Sequence, residues 1–156
     1  MPTIANADLP GHCIFAGFIA NTPLFADAGG SLFRLEGGLK ETAVHDGLLC
    51  ASETLDRNAL MTGGEDGKVM ATGATGASRE IGSIPRKWIS SLACGPNGTA
   101  FASGKTAVYV EANGKRHEQA LDRSVEGVAL APKGTRLALA RYNGVTLTFP
   151  GTQGKP

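Results

Sequence analysis

Residues 59–72 read ALMTGGEDGKVMAT, and this stretch decides the fold of the chain. Two short, mainly apolar runs, 59–62 and 68–71, flank the turn residues 63–67. Asp66 and Gly67 form an Asp-Gly pair, which tolerates positive φ and is a strong hairpin signal between apolar runs. The stretch therefore predicts two antiparallel strands joined by a tight turn.

The same hairpin pattern recurs at residues 25–33, 101–109 and 139–147. With Gly30, Gly67, Lys105 and Gly144 as turn positions, successive hairpins lie 37, 38 and 39 residues apart. A repeat of about 40 residues that contains several short strands is typical of a β-propeller blade. No stretch shows the 3.6-residue periodicity that helical repeats would need. The chain is therefore predicted to be all-β, a β-propeller of four-stranded antiparallel blades with four repeats.

The composition indicates a globular chain and argues against two classes of partner. The 156 residues suffice for one core but not for two ordinary domains, so 1–156 is treated as a single, partial or half propeller. Apolar residues make up 42% and charged residues 19%, as in folded proteins. The net charge of +1 and the low aromatic content of 6% give no basis for binding nucleic acid or an anionic membrane.

The three cysteines, Cys13, Cys50 and Cys94, are an odd number without close spacing. Each lies in or just after an apolar run, where a free thiol acts as a small hydrophobic residue. This use of cysteine favours a reducing compartment. The first twelve residues lack the basic start and apolar core of a signal peptide, and no apolar run approaches membrane-spanning length. We therefore expect a cytoplasmic protein.

Turn signals divide the chain into predicted blades at about residues 11–45, 46–84, 85–121 and 122–150. Each blade should begin with an apolar inner strand, at 13–19, 48–52, 88–93 and 125–131. The first three blades have room for four strands, whereas the fourth ends after its third strand at 145–149. Residues 1–9 precede the first blade, and 2–9 are predicted to form a strand that closes the ring.

Several motifs support this division. A Gly-His pair stands at 11–12, His-Asp-Gly at 45–47, Pro-Asn-Gly at 96–98 and Pro-Lys-Gly at 132–134. The segment LMTGGEDGKV at 60–69 is similar to LASGSDDGTV, the hairpin of WD-repeat blades. On these residues, about 11–150 resemble divergent blades of the WD-repeat (WD40-like) β-propeller family. The Trp-Asp ending of that family is replaced by Leu35-Glu36, Thr72-Gly73, Val110-Glu111 and Phe149-Pro150.

The resemblance implies a structural hydrogen-bond relay in the second blade. In the family, this relay links a His before the inner strand, a Ser or Thr on the second strand, an Asp in the turn and the Trp. Here His45, Thr62 and Asp66 match the first three, and Thr72 replaces the Trp. Similar residue types form Ser-His-Asp catalytic sites, but a hairpin turn supplies no activated nucleophile or oxyanion hole. We therefore expect a structural relay and no catalytic residues.

Two further patterns contain residue types found in cofactor sites. Gly104-Lys105-Thr106 resembles the end of a phosphate-binding loop, but the required earlier glycine is Thr99 and the context is a hairpin. His12, Cys13, His45 and Cys50 are potential zinc ligands without the close paired spacing of a zinc site. The sequence therefore predicts no cofactor and no metal.

Surface charge offers the more informative pattern. In a propeller, the loops leading into each inner strand share one face with the turns between second and third strands. The first two blades place Asp27, Asp46 and Glu65 on this face. The last two blades place there a set rich in Arg and aromatic residues, which dominate interface energetics: Arg86, Lys87, Trp88, Arg123, Arg141 and Tyr142. The competing interpretation is a solvated rim with Trp88 packed between blades.

The leading functional hypothesis is a non-enzymatic WD-repeat scaffold that mediates protein–protein interaction with partners of unknown identity. The alternative is a ligand-binding or enzymatic propeller with a site at the central channel, although the sequence offers no acid pair, nucleophile or metal cluster for it.

Closure of the ring remains open among three arrangements: a four-bladed ring, an eight-bladed ring made by two chains, or the N-terminal half of a longer protein. The family resemblance implies that the N-terminal strand pairs with the last blade and that rings have seven or eight blades. We therefore favour a homodimer or a longer parent chain, with residues 2–9 pairing with 145–149.

Overall fold

The computed structural model describes residues 2–151, and every regular element in that range is a β-strand. Fifteen strands form antiparallel sheets that contain four, four, four and three strands in chain order. Within each sheet, neighbouring strands are also consecutive in the chain. The all-β prediction and the absence of a fourth strand from the last sheet are confirmed for the described residues. No helix in residues 2–151 is long and apolar enough to cross a membrane.

The strands have the following bounds. The first sheet contains β1 (Cys13–Ile19), β2 (Thr22–Asp27), β3 (Ser31–Leu35) and β4 (Leu39–Ala43). The second contains β5 (Leu48–Glu53), β6 (Ala59–Gly64), β7 (Lys68–Gly73) and β8 (Ser78–Ser83). The third contains β9 (Ser91–Cys94), β10 (Gly98–Ser103), β11 (Thr106–Glu111) and β12 (Arg116–Ala120). The fourth contains β13 (Val125–Leu130), β14 (Leu137–Arg141) and β15 (Gly144–Thr148).

The hairpin predicted over residues 59–72 is formed by β6 and β7. Met61 pairs with Ala71 and Thr62 with Met70. Gly67 closes the turn with a φ of +79°, which glycine adopts at little cost. The Asp66 carboxylate also closes it by accepting a hydrogen bond from Lys68 N at 3.0 Å. Local turn chemistry therefore accounts for this hairpin.

Apolar clusters fill the spaces between consecutive sheets. Because strand side chains alternate between faces, the second and third sheets each pack one face on the preceding sheet and the other on the following one. Phe101, which is fully buried, packs with Met61 and Val69 of the second sheet, and Leu137 and Leu139 pack on the third. The first strands β1, β5, β9 and β13 contact one another in succession. The core is thus a series of three inter-sheet layers among the described residues.

One side of the molecule, which we call the loop face, consists of turns docked onto loops. It comprises the turns 28–30, 65–67, 104–105 and 142–143 and the loops 44–47, 84–90 and 121–124. Backbone hydrogen bonds connect each of the first three turns to the loop that leads into the next sheet: Gly30 O accepts from His45 N at 2.9 Å, and Gly67 O accepts from Ile84 N at 2.8 Å. Gly104 O likewise accepts from Val125 N at 2.8 Å.

Two expected strands differ from the prediction. Residues 2–9 form no strand in the single chain, and β15 has no fourth strand beside it among the described residues. Their pairing with a second copy stays a prediction. The third inner strand begins at Ser91 and not at Trp88, because Arg86 adopts a positive φ of 63° and residues 84–89 bond to the turn of the second sheet.

Candidate functional site

The structure brings His45, Thr62 and Asp66 into hydrogen-bond contact. His45 Nδ1 lies 3.0 and 3.1 Å from the two carboxylate oxygens of Asp66, and His45 Nε2 lies 2.7 Å from Thr62 Oγ1. A carboxylate can only accept, so Nδ1 carries the proton that is donated to Asp66. In a neutral ring Nε2 is then the acceptor for the Thr62 hydroxyl. Both ring nitrogens are used in tying the loop 44–47 to the β6–β7 hairpin.

Gly64 leaves the space that these three groups need. A Cβ atom at Gly64 would lie 2.5 Å from His45 Nδ1 and 2.7 Å from Asp66 Oδ1. Such distances are well inside van der Waals contact, so the relay requires glycine here. The sequence pattern gives no sign of this dependence, because it marks the Gly63-Gly64 pair only as part of the turn.

Thr72, which replaces the Trp of the family pattern, is not part of the relay. Its hydroxyl lies 2.9 Å from Ser78 Oγ on the neighbouring strand β8, and its side chain is fully buried. Met70 O lies 3.5 Å from Thr62 Oγ1. Because the single proton of the Thr62 hydroxyl is donated to His45 Nε2, the relay ends at Thr62.

We predict that Asp66→Ala lowers the free energy of unfolding by about 1–3 kcal/mol, because a buried imidazole loses its acceptor. Chemical denaturation followed by circular dichroism measures this loss. Asp46→Ala, an exposed change in the neighbouring loop, is the control and should stay within about 0.5 kcal/mol of the wild type. Equal stability of Asp66→Ala and wild type would reject a stabilising role for the relay.

A second set of residues forms an exposed basic and aromatic segment of the loop face. Arg86, Lys87 and Trp88 are all exposed, and 61% of Trp88 is accessible to solvent. Trp88 therefore does not pack between blades. The next residue, Ile89, is fully buried, and its amide donates to Gly64 O at 3.1 Å. The segment is thus held in place from both ends while its side chains project outward.

The remaining predicted residues of this surface divide into two groups. Arg123 and Tyr142 are exposed, and Tyr142 N donates to Ser124 O at 3.1 Å, which places both in one part of the loop face. Arg141 is instead half-buried: it pairs with Asp122 at 2.9 Å and donates to Val145 O at 3.3 Å. Its charge is therefore largely compensated, and its contacts join β14 to the loop 121–124.

The exposed charges of the loop face differ from the predicted pattern at two residues: Lys105 is an additional exposed cation, and Asp27 is not exposed. Lys105, at the tip of the β10–β11 turn, is exposed between the two basic segments. The sequence marks it as a hairpin-turn position and through its likeness to a phosphate loop, but the hairpin context excludes the strand-to-helix geometry of such a loop. Asp27 is buried and accepts hydrogen bonds from Gly30 N and Ser31 N at 3.1 and 3.0 Å. Of the acidic residues, Asp46 and Glu65 remain exposed.

The potential zinc ligands do not converge. Within residues 2–151, no group of three or more His, Cys, Asp or Glu side chains could hold a metal ion. Cys13 is exposed, whereas Cys50 and Cys94 are partly buried. Burial raises the pKa of the Cys50 thiol to about 12 and also raises the pKa of Cys94. These two thiols are therefore protonated and unreactive near neutral pH.

Comparison with known proteins identifies the fold. No protein-family model matches the sequence, and no curated protein matches it. The structure is similar to the crystal structure of the computationally designed Ika4 protein, with a TM-score of 0.71 and 19% identity over 94% of this chain and 96% of that chain. It is also similar to the beta-propeller domain of Cps50 (Swd1) from Myceliophteria thermophila, with a TM-score of 0.70 and 10% identity over 86% of this chain and 52% of that chain.

A third similar structure is a chain of the Mitotic Checkpoint Complex, with a TM-score of 0.65 and 15% identity over 81% of this chain and 45% of that chain. The present chain thus spans about half the length of the Swd1 and checkpoint chains. At these identities the similarity shows the fold alone. The four sheets are blades of a β-propeller, as the sequence predicted.

Proposed function

We propose that this chain is a non-enzymatic WD-repeat scaffold that binds a protein partner through the basic and aromatic part of its loop face. The proposed surface, which we call the basic rim, consists of Arg86, Lys87, Trp88, Lys105, Arg123 and Tyr142. The similarity to propellers such as Swd1 and a chain of the Mitotic Checkpoint Complex supports an interaction role. Arg141 is left out of the rim because it is engaged with Asp122.

The exposed indole of Trp88 is the observation that carries this proposal. Exposed tryptophan is uncommon on a surface that serves only to face water, and Trp is enriched among the residues that dominate binding energy. Here the indole lies beside two cations, on a segment whose backbone is anchored by Ile89 and by the bond from Lys87 N to Ile84 O at 3.2 Å. An anchored side chain loses less entropy on binding than a side chain on a mobile loop.

The charge of the basic rim defines the chemistry of the partner. Arg86, Lys87, Lys105 and Arg123 are exposed cations, and none takes part in an ion pair that the structure shows within residues 2–151. A group of unpaired cations accelerates association with a negatively charged surface. We therefore propose an acidic segment or acidic surface of a protein, with an apolar group that packs on Trp88.

A pull-down from a native extract tests the proposal. The double variant Arg86→Glu/Lys87→Glu should lose the partner, because the reversed charges repel an acidic surface. The control Lys133→Glu/Arg136→Glu makes the same change of charge in the exposed β13–β14 turn on the opposite side of the molecule and should retain the partner. Trp88→Ala should weaken binding by about tenfold or more.

Thermal unfolding of each variant, measured in parallel, should match the wild type, because all of these side chains are exposed. A partner that binds the rim variant and the control equally well would place the interface elsewhere. Binding that both double variants lose equally would indicate a general charge effect and would also contradict the basic rim.

A further inference from the structure

We propose that the groove between the second and third blades binds a short apolar peptide that has a free amino end and a free carboxyl end. The groove lies on the side of the molecule opposite the loop face. It is therefore separate from the basic rim, and this inference can hold or fail independently of the proposed function. Both blades that form the groove have a neighbouring blade on each side.

The groove is a concave space with a volume of about 520 Å³, which is usual for sites that bind small molecules. The second blade contributes the β5–β6 loop, residues 54–58, and part of β8. The third blade contributes its turns near residues 95–98 and 111–114. Side chains that pack in the layer between the two blades form an apolar floor: Ala59, Met61, Ile81, Cys94 and Val110.

Thr99 supplies a hydroxyl group at the floor of the groove. It pairs with Cys94 and Val110, whose side chains lie in the layer between the second and third blades, so Thr99 also faces the second blade. Only 6% of Thr99 is exposed, yet its hydroxyl makes no hydrogen bond that the structure shows within residues 2–151. Buried polar groups are nearly always hydrogen-bonded. The hydroxyl is therefore available to a ligand in the groove.

Arg79 places a cation at the outer end of the groove, on the last strand of the second blade. It pairs with Ala71, which is buried in the layer between the second and third blades, and directly opposed residues share a face. The Arg79 side chain therefore projects toward the third blade. It is exposed and takes part in no ion pair that the structure shows in the described part of the chain. A free guanidinium can hold a carboxylate by two parallel hydrogen bonds.

Asp56 places an anion at the inner end of the groove, on the β5–β6 loop. The Thr54 hydroxyl donates to Asp56 Oδ1 at 2.7 Å, and Asn58 N donates to the same oxygen at 3.1 Å. These bonds fix the carboxylate on the loop and lower the pKa of Asp56, so the group is charged near neutral pH. A carboxylate has room for further donors and can accept from an ammonium group.

The separation of the two ends sets the length of the ligand. Arg79 lies two strands from Met61, with Ala71 between them, and neighbouring strands are about 4.8 Å apart. The groove therefore spans about 10 Å, and an extended peptide of about three residues has this length. Its ammonium group contacts Asp56, its carboxylate contacts Arg79, and one of its backbone amides bonds to the Thr99 hydroxyl.

Both walls of the groove are held by backbone hydrogen bonds without a ligand. Arg57 N donates to Thr54 O at 2.9 Å, and Ala112 N donates to Asn97 O at 2.9 Å. Walls that are fixed beforehand lose little conformational entropy when a ligand binds. A zwitterion finds a partner of opposite charge at each end, whereas a ligand with one charge finds a partner at one end only.

Titration of the wild-type chain with the tripeptide leucyl-glycyl-leucine, followed by the NMR shifts of backbone amides, is the primary test. A ligand of this size should bind with a Kd of about 0.1–1 mM. The shifts should map to the groove and not to the loop face. No binding at about 10 mM peptide, or shifts confined to other parts of the molecule, would overturn the proposal.

Blocked peptides and matched variants test the assignment of each end. Arg79→Gln should weaken binding of the free peptide by about fivefold or more, but not binding of its C-terminal amide, which has no carboxylate. Asp56→Asn should weaken binding of the free peptide but not of its N-acetylated form. Asp46→Asn, an equivalent change on the loop face, should bind all three peptides as the wild type does. Equal losses for free and blocked peptides would contradict the assigned ends.

Thr99→Val separates binding from folding, because valine keeps the shape of threonine and lacks the hydroxyl. The affinity for the free peptide should fall by about threefold or more. The melting temperature of the variant should not fall, since the hydroxyl makes no bond within the described residues. Unchanged peptide affinity in Thr99→Val, Arg79→Gln and Asp56→Asn would overturn the site even if the peptide binds the wild-type chain.

Discussion

Gly67→Ala is expected to lower the free energy of unfolding by about 3 kcal/mol or more, since two independent penalties add. The φ of Gly67 is +79°, which costs a residue with a Cβ atom about 1–2 kcal/mol. A Cβ atom would also lie 2.4 Å from Ile84 O and 2.9 Å from Lys87 O. Both are backbone atoms, so the clash can be relieved only by moving the loop 84–90. Denaturation by urea measures the loss.

Gly104→Ala separates these two penalties. Gly104 occupies the equivalent turn of the third blade with a φ of +52°, and no atom lies within 4 Å of the position that a Cβ atom would take there. Only the conformational cost of about 1–2 kcal/mol should therefore appear. Equal losses of unfolding free energy in both variants would mean that a Cβ atom at position 67 does not clash with the loop 84–90. The Gly67 variant should also weaken binding at the basic rim, because Arg86, Lys87 and Trp88 lie on that loop.

Phe101→Ala should lower the free energy of unfolding by about 3–5 kcal/mol. This is the range for removing a fully buried aromatic side chain and leaving a cavity. The ring fills the layer between the second and third blades. Gly82 leaves room for it, because a Cβ atom at this position would lie only 2.9 Å from Phe101 Cζ. The melting temperature should fall by about 10 °C. Phe101→Leu, which retains most of the volume, should lose clearly less stability.

These melts are to be compared at one protein concentration, since any self-association makes a melting temperature depend on concentration. A Phe101→Ala protein that melts within 2–3 °C of the wild type, roughly the effect of 1 kcal/mol, would contradict the packing of this layer. Tyr142→Ala, which removes an exposed aromatic side chain, is the matched control and should leave the melting temperature unchanged.

The strands and turns of this protein could be predicted because their causes are local. The Asp66-Gly67 turn, the alternation of apolar residues around it and its repetition near every 38 residues are readable from short windows of sequence. These local signals are sufficient to predict the four antiparallel blades and the absence of a fourth strand from the last one. The partners His45, Thr62 and Asp66 were assignable only through the family resemblance, since spacing alone does not show which side chains meet.

Other properties depend on which surface comes to lie against which, and the tertiary structure decided them. Asp27 and Asp46 look alike in the sequence, yet one caps a buried turn and the other is exposed. The sequence pattern assigns Arg141 and Arg123 to one charged surface, yet only Arg141 meets a carboxylate. Val145 and Val69 occupy the same position of their hairpins, yet within the described residues Val69 is buried against the third blade and Val145 is 82% exposed. The hydrophobicity of a side chain can be read from its own residue type. Its burial depends on the residues packed around it, and the fold brings these together from distant parts of the chain.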